Sequence, residues 1–394
     1  MPFFHKSLIF VFLFWPILGN STSPIRDHVN SHTPLYDNSF IETVYSGCNL
    51  SKYKLDEINA DFFQSPINNP YFFSEKSILN FFLVKNENGH LKKAPLVIFM
   101  TGIFGGPFTG LGRHMVKRLT DSGFHVISLG NPLGEENLKL KPKYPLASFI
   151  NEAEAYWVNV KLGVQNLKRL NLISENISMI GVSYGGFITA IMRKFDQSEA
   201  SPFIKKLVLI SPPLNMGIGL GNMDQLILES EKYRDKSDLW FDLKSIKYCL
   251  SPPRVSSEKE KEIAQAIFAH SGFQRDMADK VSLADSIYDW HLVPKYSKTA
   301  YRNWRRRFLF NDYFNDFFPV LKRLYYSRAS DLGYWLDFKN KNNLIFSASD
   351  DPLNYGQVWP IEKSVFLIET GGHYGFANSE FYEKFLRLVF NWLK

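Results

Sequence analysis

Cysteine is nearly absent. Cys48 and Cys249 are the two cysteines among 394 residues, too few for a disulfide framework and too widely separated for a zinc site. In an oxidising compartment they can pair across the molecule, and in a reducing one they are small apolar residues; the sequence leaves both open. Also missing after the N-terminus is an apolar run approaching the roughly 20 residues of a membrane span. Internal repeats and low-complexity tracts are lacking, and no nucleic-acid motif surrounds the basic residues. Hydrophobic residues at 45% and charged residues at 22% match an ordinary soluble globular protein, which excludes disorder.

What is present is rich in aromatics, with 35 Phe and 19 Tyr. The opening residues, MPFFHKSLIFVFLFWPILGNSTS, carry Lys6, an apolar run from Leu8 to Leu18 interrupted by Pro16, and then small polar residues. This layout predicts a secretory signal peptide over 1–21, cut after Ser21, and hence export to a periplasm or the outside; an uncleaved N-terminal anchor is the alternative. The string YSGC ending at Cys48 lacks the preceding apolar run of a lipoprotein acylation box. The net charge of +7 suits anionic surfaces. Its densest patch, YRNWRRRF over 301–308 with Arg302, Arg305, Arg306 and Arg307, reads first as a solvated helix face and second as a peripheral contact with lipid headgroups.

From Ile78 onward β-rich runs alternate with helical patterns, the signature of a doubly wound, mostly parallel sheet covered on both faces. SILNFFLVK, the Asn-Gly segment NENGH and APLVIFM read as a hairpin. Helices are expected over GLGRHMVKRLTDSG, over ASFINEAEAYWVNVKLGVQNLKRL and from Gly186, with strands FHVISL, ISMIGV, KKLVLIS, NNLIFSAS and SVFLIET, and a C-terminal helix EFYEKFLRLVFNWLK. Between Pro213 and about Leu336 the alternation stops and the pattern is helical and aromatic. The expected organisation is an irregular leader packing on the core over 22–76, an α/β core over 77–213 and 337–394, and a helical cap inserted over 214–336.

The segment GVSYGG explains the local spending of glycine. Ser183 follows an apolar strand directly and precedes a helix, so it stands on a sharp turn whose neighbours two positions away, Gly181 and Gly185, must lack side chains. Gly186 lets the helix start approach the strand. Such a turn lifts the hydroxyl clear of the sheet at a helix N-terminus, where the Tyr184 N–H faces a developing oxyanion. The pattern G-x-S-x-G arises by chance in roughly one chain in ten of this length at average glycine content, so partners are needed.

A serine nucleophile requires a base, and the base an orienting acid, in the order Ser, acid, His. Of nine histidines, His373 in ETGGHYGF is the one on a strand-end loop downstream of Ser183; His270 and His291 fall in the insertion. The acid is expected in FSASDDPLN, where Asp351 is preferred over Asp350 because Pro352 fixes the direction of the chain after it. A second oxyanion donor is sought in TGIFGGP, with Ile103 first and Phe104 next.

These residues resemble the α/β-hydrolase superfamily of esterases, lipases, thioesterases and some peptidases. The resemblance covers roughly 77–213 and 337–394 and rests on G-V-S-Y-G, D-D-P and G-G-H-Y-G-F in that order; the latter two are also similar to a branch acting on acyl esters and phospholipids. It implies Ser183 as nucleophile, His373 as base and Asp351 as acid, the Ile103 and Tyr184 amides as oxyanion donors, and the insertion as a cap. Where the superfamily often has His-Gly, this chain has Thr101-Gly102, which leaves the exact donor open. The implied activity is cleavage of carboxylic esters on an apolar acyl or lipid-like substrate, with no metal or cofactor. Rivals are a peptidase, amidase or thioesterase, or a catalytically silent protein binding lipid or a partner through the cap.

Overall fold

The computed structural model describes residues 22–50, 57–103, 105–288, 298–316 and 319–394. Two helices, α1 (Ser23–Asn30) and α2 (Ser39–Leu50), lead into strands β1 (Asp61–Asn68) and β2 (Lys76–Leu83). Next come β3 (Ala94–Met100), α3 (Gly110–Asp121), β4 (His125–Leu129), α4 (Glu135–Lys139), α5 (Phe149–Arg169), β5 (Ile173–Val182), α6 (Tyr184–Ser198) and β6 (Ile204–Ile210). After the insertion, β7 (Asn343–Ala348) and β8 (Val365–Ile368) complete the sheet.

The eight strands lie in the order β1-β2-β4-β3-β5-β6-β7-β8. Pairing from β4 through β8 is parallel, and β1 and β2 add antiparallel edges. Parallel strands joined by helices are covered on both faces and read as continuous apolar runs. Accordingly β4 and β7 are buried at every position. One core packs α5 and α6 on one face, around Phe149, Val160 and Phe187; the other packs α3 and the C-terminal helix on the opposite face, around Val116, Phe346 and Phe385. The chain runs from β3 outward to β4 and then back across to β5, so the strand order reverses between β3 and β5. Crevices outside the carboxyl ends of strands at such a reversal are where open α/β sheets hold ligands.

Two expectations are corrected. The Asn-Gly segment does close a tight turn, with the Gly89 N–H donating to Asn86 O at 3.0 Å, but β2 and β3 do not form a hairpin, because β4 lies between them. The leader is not irregular: it supplies α1, α2 and the edge strand β1, paired with β2 from Asp61↔Leu83 to Asn68↔Lys76. The expected signal peptide over 1–21, which precedes the leader, lies outside the described residues, as do His291 and Phe104.

Between β6 and β7 the chain is helical: α7 (Met216–Glu229), α8 (Asp238–Leu250), α9 (Glu258–Ala266), α10 (Arg275–Tyr288), α11 (Lys298–Arg305), α12 (Phe310–Asp316), α13 (Pro319–Tyr325) and α14 (Leu332–Trp335). The two ends of this insertion meet, with Asn215 bridging Asp331 and the Leu332 N–H donating to Leu214 O at 2.8 Å. A π-helical stretch, Ile267–Gln274, joins α9 to α10. The chain ends in α15 (Glu380–Leu393), whose Ser379 cap accepts from the Tyr382 N–H. Among the described residues no helix is long and apolar enough to cross a membrane.

Candidate active site

β5 runs straight into α6 through one residue. Ser183 has φ 53° and ψ −128°, a backbone conformation that costs an L-residue on the order of 1–3 kcal/mol. Its N–H donates to Ile210 O at 2.8 Å and its carbonyl accepts from Gly186 N–H at 2.8 Å, so the turn is tied on both sides. Val182, Phe187 and Ile188 are fully withdrawn from water beside it. Each large side chain so buried contributes roughly 1.5–3 kcal/mol, enough together to offset the strain.

The flanking glycines are required by close approach. A Cβ on Gly181 would lie 2.6 Å from Gly185 O and 2.6 Å from Gly186 Cα, inside the start of α6. One on Gly185 would lie 2.9 Å from Met100 O at the end of β3. The helix begins at Tyr184, two residues before the Gly186 expected from sequence.

His373 Nε2 is 2.8 Å from Ser183 Oγ, and its Nδ1 is 3.1 Å from both oxygens of Asp351. Because a carboxylate only accepts, the Nδ1–H is the donor there and Nε2 is left as the acceptor for the serine hydroxyl. Asp351 is completely buried, and its Oδ1 also accepts from the Leu353 N–H at 3.0 Å. Asp350 does something else. Its Oδ1 accepts from the Gly372 N–H at 2.8 Å, and burial raises its pKa above the usual carboxylate value. One aspartate meets the imidazole and its neighbour ties down the loop that carries it. That loop turns through Gly372 at φ 57° and Tyr374 at φ 65°.

Gly102 passes directly over the serine, since a Cβ there would lie 3.0 Å from Ser183 Cβ. Ile103 follows it, and the Gly105 N–H closes this turn onto Gly102 O at 2.9 Å. The Tyr184 N–H, at the first position of α6, has no acceptor within its own helix. Ile103 and Tyr184 therefore flank Ser183 from the ends of the two strands where the order reverses. Of the histidines in the insertion, His270 is committed elsewhere, to Gln274 and Ser230 O.

Above these groups opens a cavity of about 540 Å³, lined by Ser183, His373, Ile103, Phe268 and Arg275, and by Thr43 to Cys48 except Tyr45. The Phe268 ring lies 6.4 Å, centroid to centroid, from that of His373. Helix α2 is pressed onto the histidine loop: a Cβ on Gly375 would lie 2.7 Å from Glu42 Cβ. Cys48 on α2 forms a disulfide with Cys249 on α8, at a Cα separation of 5.7 Å. The open question of the two cysteines is thus answered, and the leader joins the cap at the mouth of the cavity.

Sequence reasoning missed Glu152. Buried on α5, it accepts a short hydrogen bond from the Tyr184 hydroxyl, one residue from the serine. Burial pushes its pKa up to about 8, against the smaller opposing effect of that hydrogen bond. The signal was a glutamate on the apolar face of α5, three residues after Phe149 and one before Ala153, both fully buried. Among the described residues no group of three or more His, Cys, Asp or Glu is arranged to hold a metal ion.

No protein-family model matches the sequence, and no curated relative matches it. Solved structures similar to this chain include an esterase of Pyrobaculum calidifontis, at 14% identity over 90% of each chain with a TM-score of 0.45. Carboxyl esterase 2 of the mycorrhizal fungus Tuber melanosporum is 14% identical over 90% of this chain and 97% of its own, with a TM-score of 0.45. The thermostable carboxylesterase EstE1, cloned from a metagenomic library, is 15% identical over 95% of this chain and 98% of its own, with a TM-score of 0.46. From its own strand order, its serine turn after β5 and its helical insertion between β6 and β7, the chain has the α/β-hydrolase fold.

Proposed function

We propose that this protein is a serine hydrolase that cleaves carboxylic esters through an acyl-enzyme on Ser183. The observation that carries this reading is the unbroken line from Ser183 Oγ to His373 Nε2 at 2.8 Å and from Nδ1 to the buried Asp351 at 3.1 Å. A serine hydroxyl is a weak nucleophile unless a base takes its proton as it attacks. His373 takes that proton at Nε2, and Asp351 stabilises the resulting imidazolium at Nδ1. Oxygen charge develops on the ester carbonyl beside the Ile103 and Tyr184 amides, which donate to it without reorganising. The imidazolium then returns the proton to the departing alcohol, and a water activated by the same nitrogen releases the acid. The apolar wall given by Val44, Ile103, Leu111 and Phe268 suits an acyl chain.

Export is part of the same proposal, supported by the composition of 1–21 and by a disulfide of the kind that persists in oxidising compartments. Peripheral contact with an anionic membrane is the partner reading. It rests on Arg302 and Arg307, which are exposed, because Arg305 is engaged by Asp238 and Asp279. The test of the catalytic reading is turnover of short nitrophenyl esters, with matching thioesters and anilides, by the purified protein and by Ser183→Ala. Esters are expected to be the best substrates, and the variant to lose around a millionfold in turnover. Equal rates for the two proteins would refute it.

A further inference from the structure

A second cavity, of about 320 Å³, lies in the cap and has one lining residue in common with the first, Arg275. Six cationic side chains surround it, Arg234, Lys236, Arg275, Arg302, Arg305 and Arg306. Four carboxylates answer them. Arg275 meets Asp242 at 3.1 Å, Arg305 meets Asp238 at 2.8 Å and Asp279 at 2.7 Å, and Arg234 pairs with Glu231. The net surplus is two positive charges, and because Arg305 takes two of the carboxylates, Lys236, Arg302 and Arg306 are the cations without a carboxylate partner among the described residues. The Arg306 guanidinium instead donates to Lys236 O at 3.3 Å.

The backbone that carries Arg306 is held in place. Gln274 donates to Arg306 O at 3.1 Å and Phe308 O at 3.0 Å, fixing the end of α11 against the cavity floor. Ser237 caps α8 at the rim, so the positive end of a helix of 13 residues adds to the same field. Gathering like charges in a half-enclosed space opposes folding unless an anion relieves it. A phosphate monoester carries about 1.5–2 negative charges near neutral pH, matching the surplus, and its tetrahedral oxygens can be taken in pairs by the planar fork of a guanidinium group.

Resting on the ester-hydrolase reading above, we infer that this cavity is an anion subsite of the same active site, taking a phosphate group on the substrate while the scissile ester lies at Ser183. The substrate class is then an acyl ester that also bears a phosphate, whether a soluble metabolite or a phospholipid. Arg275, common to both cavities, stands where the two parts of such a molecule join.

The experiment compares two monomeric short-chain esters that differ in one group, a monoacylglycerol and the same monoacylglycerol bearing a 3-phosphate. Wild type is expected to show a kcat/KM about 10- to 100-fold higher for the phosphate ester, through KM. In R302Q/R306Q that ratio should fall towards one, and R302K/R306K should retain part of it. Calorimetric binding of glycerol 3-phosphate to Ser183→Ala, with and without R302Q/R306Q, reads the subsite without hydrolysis. If neither ester is cleaved but R302Q/R306Q abolishes glycerol 3-phosphate binding, the catalytic reading fails and the subsite stands. Parallel assays on phosphatidylglycerol vesicles distinguish a lipid source from a soluble one. A wild-type ratio of one or less, unchanged in R302Q/R306Q, together with glycerol 3-phosphate binding that is absent or insensitive to the arginines, overturns the inference.

Discussion

On the floor of the cleft, Ser183, Asp351 and His373 each stand within five residues of the end of a sheet strand, β5, β7 and β8. The roof is assembled differently: Cys48 on α2 and Cys249 on α8 meet across 201 residues of sequence, and Phe268 reaches in from a π-helical connection. Floor groups are positioned by backbone that the parallel sheet makes rigid. Roof groups are positioned by packing between two segments that are not in the sheet. On the function proposed above, chemistry belongs to the floor and access to the roof, and the two make separable demands on kinetics.

Asp351→Asn tests the floor most severely short of removing the nucleophile. It leaves the imidazole without an acceptor that favours the reactive tautomer, and turnover is expected to fall by about ten thousandfold. Asp350→Asn should cost far less, because its partner is the Gly372 N–H, which an amide oxygen also accepts from. Steady-state kinetics on one ester rank the two, and the reverse ranking would move the acid to Asp350.

Removing the clamp in the roof should act on stability and on substrate binding. A disulfide closing a long loop stabilises typically by 2–5 kcal/mol. Cys48→Ser with Cys249→Ser is expected to lower the denaturant midpoint accordingly and to raise KM more than it lowers kcat. A loss confined to kcat would break the assignment of access to the roof.

Glu152 lies beneath the floor, and its effect should appear as a dependence of stability on pH. With its folded pKa raised to about 8 from an ordinary 4.5, chiefly by burial, the folded state keeps a proton that the unfolded chain loses in between. Its contribution is therefore complete below about pH 4.5 and declines as pH rises towards 8, by a few kcal/mol at most. Urea unfolding at several pH values should show this slope in wild type and a shallower one in Glu152→Gln. Equal slopes would show that Glu152 ionises alike in both states.

The smallest effect is expected at the surface. Each basic residue near an anionic bilayer contributes about 1 kcal/mol, so Arg302→Gln with Arg307→Gln should weaken binding to anionic vesicles by about 30-fold. Vesicle co-sedimentation measures it. Identical binding of both proteins to anionic and neutral vesicles would leave the patch a solvated face.

The same division explains what could be read from sequence. The parallel strands were legible as apolar runs, and GVSYGG, DDP and GGHYGF carried local reasons for their residue types. β1 was missed because Asp61–Asn68, with Pro66 inside it and three exposed positions near its start, lacks the alternation of a half-buried strand. The false hairpin followed from an Asn-Gly turn that is real, whereas the insertion of β4 between its arms is a long-range fact. α2 and the disulfide were out of reach for the same reason: nothing local in 39–50 says that it presses on the histidine loop.

The central claim, that Ser183 is a nucleophile activated by His373, is tested most directly by mass spectrometry after treatment with a fluorophosphonate. The account predicts one adduct per chain, mapped to Ser183, absent from Ser183→Ala and strongly slowed in His373→Ala. No adduct on the folded wild-type protein, or an adduct on another residue that persists in Ser183→Ala, would contradict it.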